Sequence, residues 1–463
     1  MKKLLLPFCF LIISLNLQAQ VAQNISLYSS WNDTLVPAEP IYNIRYNSVW
    51  GWKNTVQNKE YAILGASNGT YFIDVTIPSA PVKCDFLPGR RGNCIWREFK
   101  TYSHYAYLVS DDSPPNSFQI VDLNYLPDSV HVVYDSNQLF QNSHTVYIDG
   151  HYLYCGYNRT LTNTYSMAVY DLAPNPELPV FVRGLNTDDP SINLVHDMFV
   201  RNDTVYASCG FQGLYVYKFT GSNFVSLGSL TSYPSNGYNH SSTMAPGSNK
   251  MVFCDEVPTG LPVKVIDVAN PSNIVFKSTF STGSTATPHN PYMLGEHVVI
   301  AYYQDGLQIF DVSNPLNVTR SGYYDTSPSN CPTCPNPNYS GCWGAYIDLP
   351  SGIILASDMQ NGLFILDAGA ALGISKTTLE TEAFSVYPNP VKDQLNVKIK
   401  AGGGSSLQVN ICDLNGKSIL TEQEFSTLNT GQYTINTAEL SSGLYLLKVS
   451  QGDKIYYSKF SKL

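Results

Sequence analysis

Four histidines recur at one position of a repeated unit: His144, His196, His240 and His289, spaced 44 to 52 residues apart. The chain holds only eight histidines, so half of them share one register. Neutral imidazoles beside a carboxylate suit zinc, iron, copper or manganese. Asp197 follows His196 directly and is placed to orient a ligand histidine. Glu256 lies near the end of a neighbouring strand, as do Asp111, Asp112, Asp255, Asp305 and Asp358. Two chemistries fit this set: a divalent transition metal at a shared rim, or histidines that bridge backbone and buried water in a polar channel.

The register is set by short β-strands. An apolar run ends in aspartate at Asp74, Asp122, Asp171, Asp267, Asp311 and Asp367, with Lys218 filling the remaining place. A second register runs Trp50, Trp96, His144, His196, His240, His289, Trp343. Both give seven units. Each unit reads as four strands. A tight turn follows the first, an Asn-Gly or Asp-Gly turn the second (Asn68-Gly69, Asp305-Gly306, Asn361-Gly362), and a proline-bearing turn the third. Asn-Gly and Asp-Gly suit two-residue hairpins in which both central residues take positive φ.

Four antiparallel strands repeated seven times predict an all-β chain built on a seven-bladed β-propeller. The seventh unit lacks a fourth strand, and residues 24–31 precede the first. That segment is predicted to pair with residues 362–367 and close the ring. If the first strands line a channel, the four histidines occupy one arc of its mouth.

Composition narrows the partners. The 463 residues are 43% hydrophobic and 14% charged, with 33 Tyr and a net charge of −9. This acidity argues against nucleic acid. Lys2 and Lys3 precede an apolar run to Leu15, which reads as a signal peptide over residues 1–19. The run is too short to span a membrane and none follows, so no transmembrane segment is expected. Export permits disulfides. Cys84 and Cys94 could close one loop, and Cys331, Cys334 and Cys342 crowd another. Cys155, Cys209 and Cys254 share a position held elsewhere by Gly, Ala or Ser, so they read as buried thiols.

The apolar-Asp cadence, with HDMFVRNDTVYAS at 196–208 and WGAYIDLPSGIILASDMQNGLFILD at 343–367, resembles the LVIVD-repeat propellers of the choice-of-anchor B family. The resemblance covers roughly residues 24 to 370, within a propeller expected over residues 20–368, and implies no particular reaction. After a small, polar linker at 369–383, FSVYPNPVKDQLNV, VNICDLNGKSI and LSSGLYLLKVSQGDK resemble the type A sorting domain of type IX secretion over residues 384–463. That resemblance implies a small Ig-like β-sandwich, the type IX export and sorting machinery as partner, and passage across the outer membrane to the surface or beyond. No GxSxG, HExxH or phosphate-binding glycine loop is present. The expected function is a surface binding protein for a protein or glycan ligand; the alternative is a metal-dependent hydrolase or lyase at the same rim.

Overall fold

The computed structural model describes residues 21–112, 116–328, 334–373, 384–399, 407–412, 418–425, 432–451 and 454–463. The predicted leader, Cys331 and linker residues 374–383 lie outside them. The chain divides into two compact units, Met1–Ile374 and Ser375–Leu463.

The first unit is a β-propeller. Its described residues form seven antiparallel sheets, six of four strands and one of five, where Ala22–Gln23 adds outside Thr319–Tyr324. In the first sheet the strands are Tyr46–Asn54, Lys59–Ala66, Gly69–Asp74 and Val82–Pro88. The first strands of successive sheets touch in turn, and Cys342–Tyr346 of the last meets Tyr46–Asn54 of the first. Ser26–Trp31 forms the outer strand of the last sheet, with Ser26 opposite Asp367 and Trp31 opposite Leu363. Apolar side chains from adjoining sheets fill the seams, as where Val299 and Ile309 meet Ala356 and Leu366.

The recurring aspartate has a local cause. Its carboxylate accepts the backbone N–H two residues on: Thr76 from Asp74, Asn124 from Asp122, Ala173 from Asp171, Ala269 from Asp267, Ser313 from Asp311 and Gly369 from Asp367. This side-chain turn satisfies a donor where the third strand stops. Lys218 instead donates to the Asn202 carbonyl.

The turns between second and third strands differ from the expected form. Gly306 and Gly362 take positive φ, +74° and +88°, without the residues before them; neither residue does at Asn68-Gly69, and both do at Asn202-Asp203. A Cβ on Gly306 would strike the Tyr324 carbonyl, and one on Gly362 would press on the Trp31 carbonyl of the outer strand.

The disulfide expectations need correction. Cys84, Cys94 and Cys342 are free thiols, whereas Cys334 is disulfide-bonded, as expected of its loop. Cys84 lies on the outer strand of the first sheet, and Cys94 is buried beside the first strand of the next, where Ser110 donates to its sulfur. Cys342 is buried in its inner strand with its thiol toward the Gly344 carbonyl. Cys155, Cys209 and Cys254 are buried thiols, and burial raises all three pKa values.

The second unit is a small β-sandwich. A sheet of Phe384–Tyr387, Gln394–Ile399 and Gln432–Asn436 accompanies one of Ser418–Phe425, Leu407–Cys412, Gly443–Gln451 and Lys454–Lys462. Leu395, Val397, Val409, Ile411, Leu447 and Val449 are buried in its core. No helix among the described residues is long and apolar enough to cross a membrane.

Candidate functional site

Strand starts bring the four histidines together. Their rings follow one another around the arc, tilted by 47–54° between neighbours, with centroids 4.0 Å apart for His144–His196, 4.2 Å for His196–His240 and 4.3 Å for His240–His289. Trp343 continues the row 4.4 Å from His289. His196 Nδ1 lies 3.2 Å from the His240 carbonyl, and His289 Nδ1 lies 2.6 Å from the Trp343 carbonyl. A carbonyl only accepts, so both rings carry the proton on Nδ1 and leave Nε2 with its lone pair. His240 Nδ1 is buried without a hydrogen-bond partner, while its Nε2 sits 3.8 Å from Glu256 Oε2.

Glu256 is held for this position. Tyr303 and Tyr339 donate their hydroxyls to its Oε1 at 2.9 and 3.1 Å, which leaves Oε2 free to face the ring. The ligating atoms of His196, His240 and Glu256 all lie within 4.8 Å of one another. His144, His289 and Asp197 fall outside that group.

Burial sets the charge state. It drives His196 and His240 well below the ordinary histidine range and His289 to about 3, with neighbouring imidazoles adding to the effect. Burial also raises Glu256. His144 differs: burial would lower it, but the Asp111 carboxylate, 2.5 Å from its Nδ1, outweighs that and raises it.

Asp197 does not orient His196, whose Nδ1 is taken by a backbone carbonyl. Its carboxylate accepts the Met198 N–H and lines the channel, where burial raises it to about 6. Asp111 on His144 is the orienting carboxylate. Tyr303 and Tyr339 escape the repeat logic, because Tyr339 reaches Glu256 from a loop without a counterpart in other units. Trp50 is also out of register. It pairs with Ile63 further along the strand, and Asn47 donates to the Ile95 carbonyl at 3.0 Å instead. Trp96 and Trp343 do reach the mouth, where they pack with Ile44, Ile95 and Met359. The mouth is thus imidazole-lined on one arc and apolar on the other.

The other acids near the rim are structural. Asp112 accepts from the Ile95 N–H, and Asp305 from the Ser284 hydroxyl. Asp358 accepts from Thr326 Oγ1 and from the N–H groups of Gln360 and Asn361. Burial nonetheless raises Asp358 from 3.8 to about 6. A raised carboxylate supports the fold below its unfolded pKa and loses that support as pH rises through the folded one. Asp358→Asn should therefore be more stable than wild type at pH 8, by up to about 3 kcal/mol, with the gap closing towards pH ~4. Urea denaturation at both pH values checks this; an equal gap at both would exclude ionisation as its cause.

Residues 385–462 match the secretion system C-terminal sorting domain. A sorting domain of this type sends its chain through the type IX machinery across the outer membrane, so the protein is destined for the cell surface or the extracellular space. No curated protein matches the chain. Among solved structures, a protein assigned as a 6-phosphogluconolactonase from Bacteroides uniformis shares 11% identity at a TM-score of 0.48, covering 84% of this chain and 99% of that one. A Lactobacillus plantarum protein gives 11% and 0.48, covering 85% and 100%. The computationally designed Ika8 protein gives 9% and 0.44, covering 69% and 82%. Likeness at this level assigns no activity.

Proposed function

We propose that the chain is an exported seven-bladed propeller of the choice-of-anchor B kind, which binds a divalent transition metal at its channel mouth and uses that site for recognition. The observation that carries this reading is the convergence of His196, His240 and Glu256, with ligating atoms within 4.8 Å of one another. Two imidazoles and a carboxylate form a donor set suited to zinc and its neighbours, and three protein donors leave a position open for a ligand group. His196 already presents an unprotonated Nε2, and the two tyrosine hydroxyls hold Glu256, so little must be ordered at the moment of binding.

Recognition would use the aromatic surface beside the metal. Tyr238 lies 5.3 Å from His196 and packs edge-on against Phe211, which is 72% exposed. Exposed aromatics with adaptable polar loops suit protein or glycan contact. Equilibrium dialysis of the mature full-length protein against zinc, after chelator treatment, should retain one ion per chain. Retention of none would sink the metal reading and leave an exported propeller with a polar channel.

A further inference from the structure

The two ends of the channel differ. On the outer side of the histidine row, Ile44, Ile95, Tyr303, Trp343 and Met359 are buried together as an apolar plug. Glu256 belongs to this outer layer. Asn239 pairs with Asp255 across the inner hairpin, and the Glu256 N–H donates to the Tyr238 carbonyl, so Glu256 stands beyond His240 towards the outer face.

On the inner side all four histidines border a cavity of 490 Å³ that follows the first strands of the sheets, whereas Glu256, Tyr303 and Tyr339 do not border it. That volume is in the range of small-molecule pockets. His196, His240 and His289 are at most 9% exposed, but Pro246 and Asp348, at the other end of the same lining, are exposed. The cavity is therefore closed at the histidines and open at the opposite face. With Glu256 capping the ion site from outside, the position left by its three donors faces the cavity.

The wall narrows what fits. Arg97, Lys100 and Arg201 offset Glu98, Asp197 and Asp348, so its formal charges balance and no strongly charged body is favoured. Two buried polar atoms on it, Ser242 Oγ and Trp343 Nε1, have no hydrogen-bond partner among the described residues. An indole N–H only donates, and leaving it unpaired in a buried wall is costly. A ligand with oxygen acceptors answers it. Oxygen also suits the open position of a divalent metal held by two imidazoles and a carboxylate.

We infer that the metal is served from inside the propeller: the channel is the pocket for a small organic molecule with an oxygen-donor group, which enters from the face opposite the histidines and reaches the ion from below. This rests on the metal reading and names the ligand class for its open position. Larger partners at Tyr238 and Phe211 would stay outside the plug.

Ser242 follows His240 by two residues on one inner strand and borders the same cavity, so bulk there obstructs the channel beneath the ion. Cobalt(II) loaded into the chelator-treated full chain gives a visible spectrum that reports acetohydroxamate, a small oxygen donor, directly. Wild type should bind one acetohydroxamate. Ser242→Trp should keep its cobalt but bind the probe at least about ten-fold more weakly, whereas Leu161→Trp, on an exposed loop at the histidine end, should stay within about three-fold of wild type. Should Ser242→Trp misfold, Asp348→Trp at the exposed opening carries the test: it should slow acetohydroxamate entry by about three-fold or more in stopped-flow mixing. Cobalt-loaded wild type with no response to the probe, a folded Ser242→Trp variant with wild-type affinity, equal losses in Ser242→Trp and Leu161→Trp, or an unchanged entry rate in Asp348→Trp would each overturn the inference. A wild type that retains no cobalt fails at the metal itself, which its metal content shows before any probe is added.

Discussion

Replacing Lys264 with Met is expected to destabilise the propeller by about 3–5 kcal/mol, seen as a lower urea midpoint. Lys264 Nζ lies 2.7 Å from Asp255 Oδ2 and both side chains are fully buried. The ammonium sits off the angle of a directed hydrogen bond, so the attraction is mainly one of charge. Asp255 is also the anchor for Tyr233 OH at 3.0 Å, the Gly237 N–H at 2.9 Å and Asn239 Nδ2 at 3.4 Å. Removing the lysine strands a buried carboxylate, whereas removing both charges does not. Lys264→Met with Asp255→Asn should therefore recover much of the loss. A double variant as unstable as the single one would assign the damage to packing. The pair matters for the site because Asn239 precedes His240, Asp255 precedes Glu256, and the two leading residues face each other across the ladder.

His240→Ala is expected to weaken zinc binding by more than the ~10–100-fold that loss of an outer partner costs a metal site. His240 offers Nε2 to the position shared with Glu256 and His196, and no other imidazole belongs to that group. His289→Gln makes the informative contrast. His289 belongs to the same arc, but its Nδ1 is committed to the Trp343 carbonyl and it lies outside the group. Its loss should leave zinc affinity within about three-fold, a change of under ~1 kcal/mol. Equal losses in both variants would mean that the whole arc, rather than one triad, holds the ion.

The all-β class was legible because the period repeats a chemical need. Each third strand must end at a turn with an unpaired N–H, and aspartate answers it six times. The histidine register was legible for a similar reason, since each residue begins an inner strand. Trp50 misled because the unit spacings themselves vary by several residues, so spacing alone could not tell it from Asn47, three positions earlier, which holds the equivalent place. Which histidines converge was not legible either. That depends on Glu256, and Glu256 is placed by Tyr303 and Tyr339 from elements far apart in sequence. The cysteines show the same limit: Cys84 and Cys94 are ten residues apart in sequence, yet one lies on an outer strand and the other beside an inner one.

The most direct test of the account is an anomalous-difference map at the zinc edge from crystals of the zinc-loaded protein. The account predicts one strong peak bonded to His196, His240 and Glu256, at about 2.0–2.2 Å from each ligating atom. A map with no peak between those three side chains, or with zinc only at an exposed histidine such as His131, would contradict it.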